Sequence, residues 1–162
     1  MKKMTIEEKQ PKPQFEITRY IETDTAHRIP NHKSKCRHLH GHRYRFTAHV
    51  GGDLVSLKEE SSEGMVMDFS ELSCILMEEI HDLIDHALIL WNEDPYVEIL
   101  TPLKDTRIIL VDFPPTAERL AKWAFDIIKP RVEEMGEGIR LVRIVCRETP
   151  KSTASYPIGR IL

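Results

Sequence analysis

The sequence predicts an α+β protein in which an antiparallel sheet is covered on one face by two helices. Two long segments in the first third of the chain and one near its end alternate apolar and polar residues, the pattern of a half-buried strand. Between them, two segments carry apolar residues at helical spacing. With one more short strand at the end, the predicted order of the main elements is strand, strand, helix, helix, strand, strand.

The first predicted strand runs from Phe15 to about Thr25, because its apolar residues fall on odd positions. His27 has the same parity, so its ring is predicted on the inward face. Residues 28 to 39 have little apolar content and predict an irregular loop. Residues 1–14 are polar and charged, which predicts a flexible tail before a single domain over residues 15–162.

The second predicted strand begins near His40, where apolar and polar residues alternate again. Its apolar positions are Tyr44, Phe46, Ala48 and Val50. His40 and His42 share their parity and are therefore predicted on the same face. Gly51-Gly52 ends the strand, and residues 65–69 are expected to return as a short strand.

Each predicted helix has one apolar stripe and a polar residue that can cap its first turn. Ser70 is the predicted N-cap of the first helix, which runs to about Asp85. Thr116 is the predicted N-cap of the second, with Glu118 in its first turn. Pro130 either interrupts the second helix or begins a new turn.

The remaining strands are predicted from short apolar runs and from alternation. Residues 108–111 are short enough for a buried strand or an extended segment, and residues 156–162 are predicted as the last strand. Residues 139–148 predict a third long strand. One of its faces is formed by Val142, Ile144, Cys146 and Glu148.

Composition excludes several classes of protein. A chain of 162 residues has room for one ordinary domain, and a net charge of −3 argues against a nucleic-acid partner. Three cysteines are too few for an extracellular disulfide framework, which favours reduced thiols in a cytosol. The chain has no apolar run long enough to cross a membrane and no apolar leader after its first lysines, so we expect a cytoplasmic protein.

Three histidines form the clearest candidate site. His40-Gly41-His42 places two imidazoles on one strand face, and His27 ends the neighbouring strand on the inward face. Three neutral imidazoles at about 2.0 to 2.1 Å with an open fourth position are typical of a catalytic zinc ion. The alternative is that these are ordinary polar histidines at a strand edge.

Cys36 precedes His40 by four residues in a segment rich in cations. Positions 28 to 45 hold Arg28, Lys33, Lys35, Arg37, Arg43 and Arg45, and no acidic residue. Such a field beside a metal favours a reactive thiolate and suits a phosphorylated substrate. Alternatively, Cys36 is a fourth metal ligand or an inert thiol, and the cations belong to a solvated loop or make weak nucleic-acid contacts.

Two carboxylates, Asp85 and Glu148, are further candidate site residues. Asp85 lies next to His86 at a helix end, where it either orients the imidazole for proton transfer or caps the helix. Glu148 lies on a strand face that is predicted to be buried, so it needs a partner. That partner is either an arginine or a ligand with paired N–H donors.

Together, six motifs resemble the 6-pyruvoyl-tetrahydropterin synthase superfamily. They are His27, Cys36-x-x-x-His40-Gly41-His42, Gly64 to Phe69, Asp85-His86, Pro115-Thr116-Ala117-Glu118 and Glu148-Thr149. The three-residue spacer after Cys36 resembles the bacterial 6-carboxy-5,6,7,8-tetrahydropterin synthases of queuosine biosynthesis. The resemblance implies a tunnelling fold (T-fold), with a four-stranded antiparallel sheet and two helices. It also implies a homo-oligomer, such as a hexamer, with active sites at subunit interfaces.

The resemblance further implies a role for each candidate residue. His27, His40 and His42 would bind Zn²⁺, and Cys36 would be the catalytic thiol. Asp85 and His86 would be its proton-transfer partners. Glu148 would anchor the pterin, and Thr116 would add a contact to the pterin or the phosphates.

The implied reaction converts 7,8-dihydroneopterin triphosphate to 6-carboxy-5,6,7,8-tetrahydropterin, with release of acetaldehyde and triphosphate. Two alternatives stay open at the level of sequence. A 6-pyruvoyl-tetrahydropterin synthase would release triphosphate without losing the two-carbon fragment. A catalytically silent module would bind zinc and pterin within an oligomer.

Overall fold

A computed structural model describes residues 13–56 and 58–159 of the chain. Most of the predicted tail, residues 1–12, lies outside the described residues. The fold is α+β, as predicted, and it is built on one sheet with strand order β4-β3-β1-β2-β5-β6. The strands are β1 (Phe15–His27), β2 (His40–Gly52), β3 (Leu88–Trp91), β4 (Ile108–Val111), β5 (Arg140–Thr149) and β6 (Ser152–Tyr156).

Strands β1 and β2 form the centre of the sheet. They pair antiparallel over their whole length, from Phe15 opposite Gly52 to His27 opposite His40. Because the register pairs odd positions of β1 with even positions of β2, the inward residues of the two strands share one face. The register therefore brings the last residue of β1 and the first residue of β2 side by side on the inward face.

The sheet has six strands in the described residues, where the sequence predicted four. Strands β1, β2, β5 and β6 form the antiparallel part, while β3 and β4 extend the sheet beside β1 in parallel pairing. Strand β3 spans only Leu88–Trp91, which is too short for periodicity to distinguish it from a buried turn. Residues 65–69 do not form the predicted strand, since Asp68 caps the next helix there.

The helices largely follow the prediction. Helix α1 (Phe69–Leu76) continues through a π-helical turn (Met77–His81) into α2 (Asp82–Ile84). Its N-cap is Asp68 and not Ser70, because the Asp68 side chain accepts the backbone N–H of Ser70. Helix α3 (Tyr96–Leu100) is short. Helix α4 (Ala117–Glu133) has the predicted cap at Thr116, and Pro130 lies inside it without ending it.

The hydrophobic core lies between the sheet and the helices, and α1 and α4 both pack on the sheet and on each other. Its largest fully buried side chains include Tyr44, Phe46, Leu72, Leu76, Ile80, Leu120, Ile128 and Ile144. A β-bulge opposite His49 and Val50 turns Leu141 inward, so Leu141 and not Val142 belongs to the core. Strand β6 lies at Ser152–Tyr156, so it ends where the predicted last strand begins, and residues 160–162 of that prediction lie outside the described residues.

Candidate active site

The three histidines converge where β1 ends and β2 begins. Their ring nitrogens all lie within 4.8 Å of one another. His27 is fully buried, whereas His40 and His42 are half-buried. This convergence follows from the register, because His27 is the strand partner of His40 and His42 lies two residues further along the same face.

Backbone carbonyls orient two of the three rings. His27 Nδ1 lies 2.8 Å from the Pro115 carbonyl oxygen, and His40 Nδ1 lies 2.8 Å from the His38 carbonyl oxygen. A carbonyl oxygen can only accept, so both rings carry their proton on Nδ1 and keep a lone pair on Nε2. Hydrogen bonds of this kind fix the tautomer of a metal-binding histidine. The cluster therefore fits a divalent ion that prefers nitrogen ligands.

Burial keeps the rings of His27 and His42 neutral. It lowers the pKa of His27 to about 4, against a smaller opposing effect of the hydrogen bond to Pro115. Burial also lowers the pKa of His42, and the nearby His40 adds to the effect. Neutral imidazoles are the form that binds metal ions, so His27 and His42 are in their binding form at neutral pH.

Glu148 faces the cluster from β5. Its Oε1 lies 3.7 Å from His27 Nε2 and 3.9 Å from His42 Nε2. The Tyr44 hydroxyl donates to the same oxygen over 3.2 Å. The sequence predicted an arginine or a ligand as the partner of this carboxylate, whereas within the described residues its polar neighbours are two histidines and a tyrosine.

The loop that carries Cys36 begins and ends beside the cluster. Cys36 is half-buried in a 3-10 turn (Lys35–Arg37), and its carbonyl accepts the Ile29 N–H over 2.8 Å. Burial, the charge of Glu148 and, to a smaller extent, the charge of Cys36 raise the pKa of Tyr44. The thiol is therefore within electrostatic range of Tyr44, whose hydroxyl lies 3.0 Å from His27 Nε2.

Half of the predicted basic field is neutralised. Arg43 pairs with Asp24 at 2.8 Å, and Arg45 pairs with Glu22 at 2.6 Å. Arg28 is buried, 3.2 Å from a carboxylate oxygen of Asp94 and beneath the ring of Tyr96. Among residues 13–56 and 58–159, the cations of this field without a carboxylate partner are Lys33, Lys35 and Arg37, all in the Cys36 loop.

Asp85 and His86 pair with each other, with Nδ1 of His86 2.8 Å from an oxygen of Asp85. The other Asp85 oxygen accepts the Asp24 N–H over 2.9 Å. Burial opposes ionisation of Asp85, but the hydrogen bonds from Asp24 and His86 outweigh it and lower its pKa. His86 adopts a left-handed backbone conformation with φ 55°, and its side chain is 78% exposed.

Within one chain, this pair does not join the histidine cluster. In the part of the chain that the structure describes, the partners of Asp85 and His86 are Asp24, His81 and Arg107. Asp24 is one residue out of phase with the buried face of β1, so the pair lies beside the strand and not over the metal-binding rings.

Thr116 lies directly after the residue that orients His27. Its hydroxyl oxygen accepts the Arg119 N–H over 3.4 Å, which makes it the N-cap of α4. The start of α4 is thereby held against the end of β1 through the Pro115 carbonyl. Thr116 itself has a structural partner and no contact with the three rings in the described residues.

The sequence pattern placed Tyr44 in the core and did not predict the contacts of its hydroxyl with His27 and Glu148. A tyrosine two positions after His42 on the same face was the available signal, because its hydroxyl must find a partner when the ring is buried. The backbone carbonyls of Pro115 and His38 carried no such signal, since any residue supplies a carbonyl.

Solved structures share this fold. An uncharacterised protein from Wolinella succinogenes matches with a TM-score of 0.69 and 22% identity, over 87% of this chain and 96% of its own. The 6-pyruvoyl tetrahydropterin synthase of Caenorhabditis elegans matches with a TM-score of 0.59 and 20% identity, over 90% and 96%. The predicted T-fold is confirmed, with two strands more than expected.

Sequence comparisons identify the family. The chain is 34% identical over 145 residues to the 6-carboxy-5,6,7,8-tetrahydropterin synthase of Haemophilus influenzae, covering 88% of this chain and 98% of the relative. It is 37% identical over 129 residues to the enzyme of the same name from Aquifex aeolicus, covering 76% of each. The family model of 6-pyruvoyl tetrahydropterin synthase matches residues 16–158. The chain belongs to the 6-pyruvoyl tetrahydropterin synthase family of enzymes.

Proposed function

We propose that the chain converts 7,8-dihydroneopterin triphosphate to 6-carboxy-5,6,7,8-tetrahydropterin, with release of acetaldehyde and triphosphate. The observation that carries the proposal is the convergence of three imidazoles, whose ligand nitrogens lie within 4.8 Å of one another, at a position faced by Glu148. The curated relatives from Haemophilus influenzae and Aquifex aeolicus carry the name of this activity and support the choice. The product would enter queuosine biosynthesis in the cytoplasm.

His27, His40 and His42 would hold Zn²⁺ through their Nε2 atoms, and the bound ion would supply Lewis-acid chemistry at the hydroxyls of the substrate side chain. The hydrogen bonds from Nδ1 to the Pro115 and His38 carbonyls would keep two rings aimed at the ion.

Cys36 would remove a proton from the substrate side chain. Its loop carries Lys33, Lys35 and Arg37, three cations that are not neutralised by carboxylates among the described residues. Their positive charges would attract the triphosphate. The same loop would therefore serve both the proton transfer and the binding of the leaving group.

Glu148 would anchor the pterin through the paired N–H donors on the edge of its ring. Its side chain is 25% exposed, so a ligand can reach it from the cluster side. Thr116 would add a further contact at the start of α4. Residues 15–162 would form the single catalytic domain that holds these groups.

Asp85 and His86 would supply the second proton-transfer group from a neighbouring subunit. The pair is preformed at 2.8 Å, and its exposed imidazole is free to enter another chain's site. This arrangement requires a homo-oligomer, for which we propose a hexamer. A symmetric assembly would repeat the same contact at every site.

The test is to incubate the purified protein with 7,8-dihydroneopterin triphosphate and to measure acetaldehyde together with the mass of the pterin product. Acetaldehyde and 6-carboxytetrahydropterin are expected in equal amounts. Release of triphosphate without acetaldehyde would instead identify a 6-pyruvoyl-tetrahydropterin synthase, the activity named for the Caenorhabditis elegans neighbour. A Cys36→Ala variant is the control, because it should lose turnover and keep its metal.

A further inference from the structure

The helix that leads into the Asp85–His86 pair ends with carbonyl groups that its own backbone does not close. The last carbonyls of a helix have no partner within the helix. Here the N–H group of His86 leaves the helix and donates to the Asp24 carbonyl of β1 over 2.9 Å. The carbonyls of Asp82 and Leu83 therefore need donors from another part of the chain.

Arg107 supplies these donors. Its Nη2 donates to the carbonyls of Asp82 and Leu83, the latter over 3.1 Å, and its Nη1 donates to the Asp85 carbonyl over 3.2 Å. The planar guanidinium presents its N–H donors in one fixed fork, so it can serve neighbouring carbonyls together. Its charge also lies at the negative end of the helix dipole, where α2 has no basic residue in its own last turn.

The backbone of Arg107 fixes the position of this fork. Arg107 directly precedes β4, and its carbonyl accepts the Leu88 N–H at the start of β3 over 2.9 Å. Arg107 therefore contacts the chain on both sides of His86. It donates to the Asp85 carbonyl before that residue and accepts the Leu88 N–H after it.

The position of His86 depends on contacts of this kind. Its backbone is left-handed, with φ 55°, and its side chain is 78% exposed. A residue with a Cβ atom keeps this conformation only where the surrounding structure determines it. Packing does not hold an exposed ring, so the hydrogen bonds of Asp24, Asp85 and Arg107 define the turn.

We propose that Arg107 is a positioning residue for the proton-transfer pair, because it holds the helix end and the left-handed turn that present His86 to solvent. This inference rests on the proposed function, which assigns proton transfer to Asp85 and His86. Among residues 13–56 and 58–159, the hydrogen bonds of the Arg107 side chain go to this helix end. We therefore expect Arg107 to act through His86 and not through the histidine cluster.

The experiment is a double-mutant cycle on the rate of acetaldehyde formation. Arg107→Ala should lower kcat about tenfold to a hundredfold, because a misplacement of about 1 Å can cost a hundredfold. It should leave KM and zinc content unchanged. In a His86→Ala background the same substitution should have no further effect, since the group that Arg107 positions is gone. Equal losses of kcat in both backgrounds would indicate a general loosening of the fold and overturn the proposal.

Two further variants separate the fork from a general effect of charge or stability. Arg107→Lys keeps the charge at the helix end but not the fork, so it should recover part of the lost kcat. Arg131→Ala is the matched control, because Arg131 pairs with Glu78 and Glu79 in the π-helical turn of the same helix. It should keep the wild-type kcat. A loss as large as in Arg107→Ala would contradict a specific role for Arg107.

Hydrogen exchange followed by mass spectrometry measures the hold on His86 without substrate. In Arg107→Ala the peptide that contains His86 and Leu88 should exchange about tenfold faster or more, the equivalent of one lost hydrogen bond. Arg131→Ala should leave the exchange of this peptide unchanged. Equal exchange in wild type and Arg107→Ala would show that Arg107 does not hold the turn.

Failure of the proposed function and failure of this inference give different results. Equal rates of 6-carboxytetrahydropterin formation by wild type and Arg107→Ala would keep the function and remove the role of Arg107. Faster exchange at His86 in Arg107→Ala, with no such product from the wild type, would keep the hold of Arg107 on the turn and remove the proposed function.

Discussion

The histidine cluster and the Asp85–His86 pair lie beside the same strand but are built differently. At the end of β1, His27 is fully buried and its ring is fixed by the Pro115 carbonyl. Beside Asp24, His86 has a left-handed backbone conformation and an exposed ring whose hydrogen-bond partner among the described residues is Asp85. One chain therefore brings together three rings that could hold a metal ion, whereas the Asp85–His86 pair is exposed and lies apart from them.

Removing one of the three histidines should have the largest effect on zinc affinity. His40→Ala leaves two imidazoles, so zinc affinity should fall at least about a hundredfold, the upper range for loss of a supporting group alone. His49→Gln is the matched control, because His49 lies on the same strand with its side chain paired to Glu16 on the other face. Equilibrium competition with a chelator measures both, and equal affinities would contradict the ligand assignment.

A mixture of two inactive variants should show whether Cys36 and His86 of one active site come from different chains. Cys36→Ala and His86→Ala should each lower kcat by about 10² to 10⁴, the usual worth of a proton-transfer group. Oligomers reassembled from equal amounts of both should recover about a quarter of the wild-type turnover, because sites that combine Cys36 and His86 from different chains are then intact by chance. No recovery would mean that both groups act within one chain.

The buried cluster should also show in the pH dependence of stability. The pKa of His27 is lowered to about 4, so between about pH 6.5 and 4 the unfolded chain binds a proton that the folded chain does not. The stability that the neutral ring contributes is present above pH 6.5 and is lost as the pH falls, by up to roughly 3 kcal/mol.

Urea unfolding of the metal-free protein at a series of pH values measures this loss. In His27→Gln the slope over the same range should be smaller. An unchanged slope would show that His27 is not the group responsible.

Tyr44→Phe should have the smallest effect. It keeps the buried ring and removes one hydroxyl that donates to Glu148, a neutral-donor bond worth about 0.5 to 1.5 kcal/mol. The free energy of unfolding should therefore fall by no more than about 1.5 kcal/mol. Urea unfolding of the wild-type protein and the variant measures this change, and a loss above about 3 kcal/mol would contradict the prediction.

The sequence predicted the parts of the fold that repeat with a regular period. Strands β1 and β2 and helix α4 were found because their apolar residues alternate or follow helical spacing over ten residues or more. Strands β3 and β4 have four residues each, and the inward turn of Leu141 depends on a bulge in pairing with β2. The pairing of these short strands and the bulge in β5 both depend on residues that are distant in sequence.

The site also contains residues that the sequence placed correctly and contacts that it did not predict. His27, His40 and His42 could be placed together because parity and strand order fix the face on which each ring lies. The basic field was overestimated, because the partners of Arg28, Arg43 and Arg45 come from other elements.

Two further contacts could not have been predicted. The Pro115 carbonyl reaches His27 through packing of the start of α4 against β1, and only the folded chain shows it. Glu148 approaches the rings because β5 pairs with β2, and that pairing is decided by residues far apart in sequence. Within the described residues no helix has the length and apolar character of a membrane span.

X-ray absorption at the zinc edge of the zinc-loaded protein is the most direct test of the three-histidine metal site. We expect one zinc ion per chain, bound by three imidazole nitrogens at about 2.0 to 2.1 Å and by an oxygen as the fourth ligand. A shell that contains sulfur from Cys36, or fewer than three imidazoles, would contradict it.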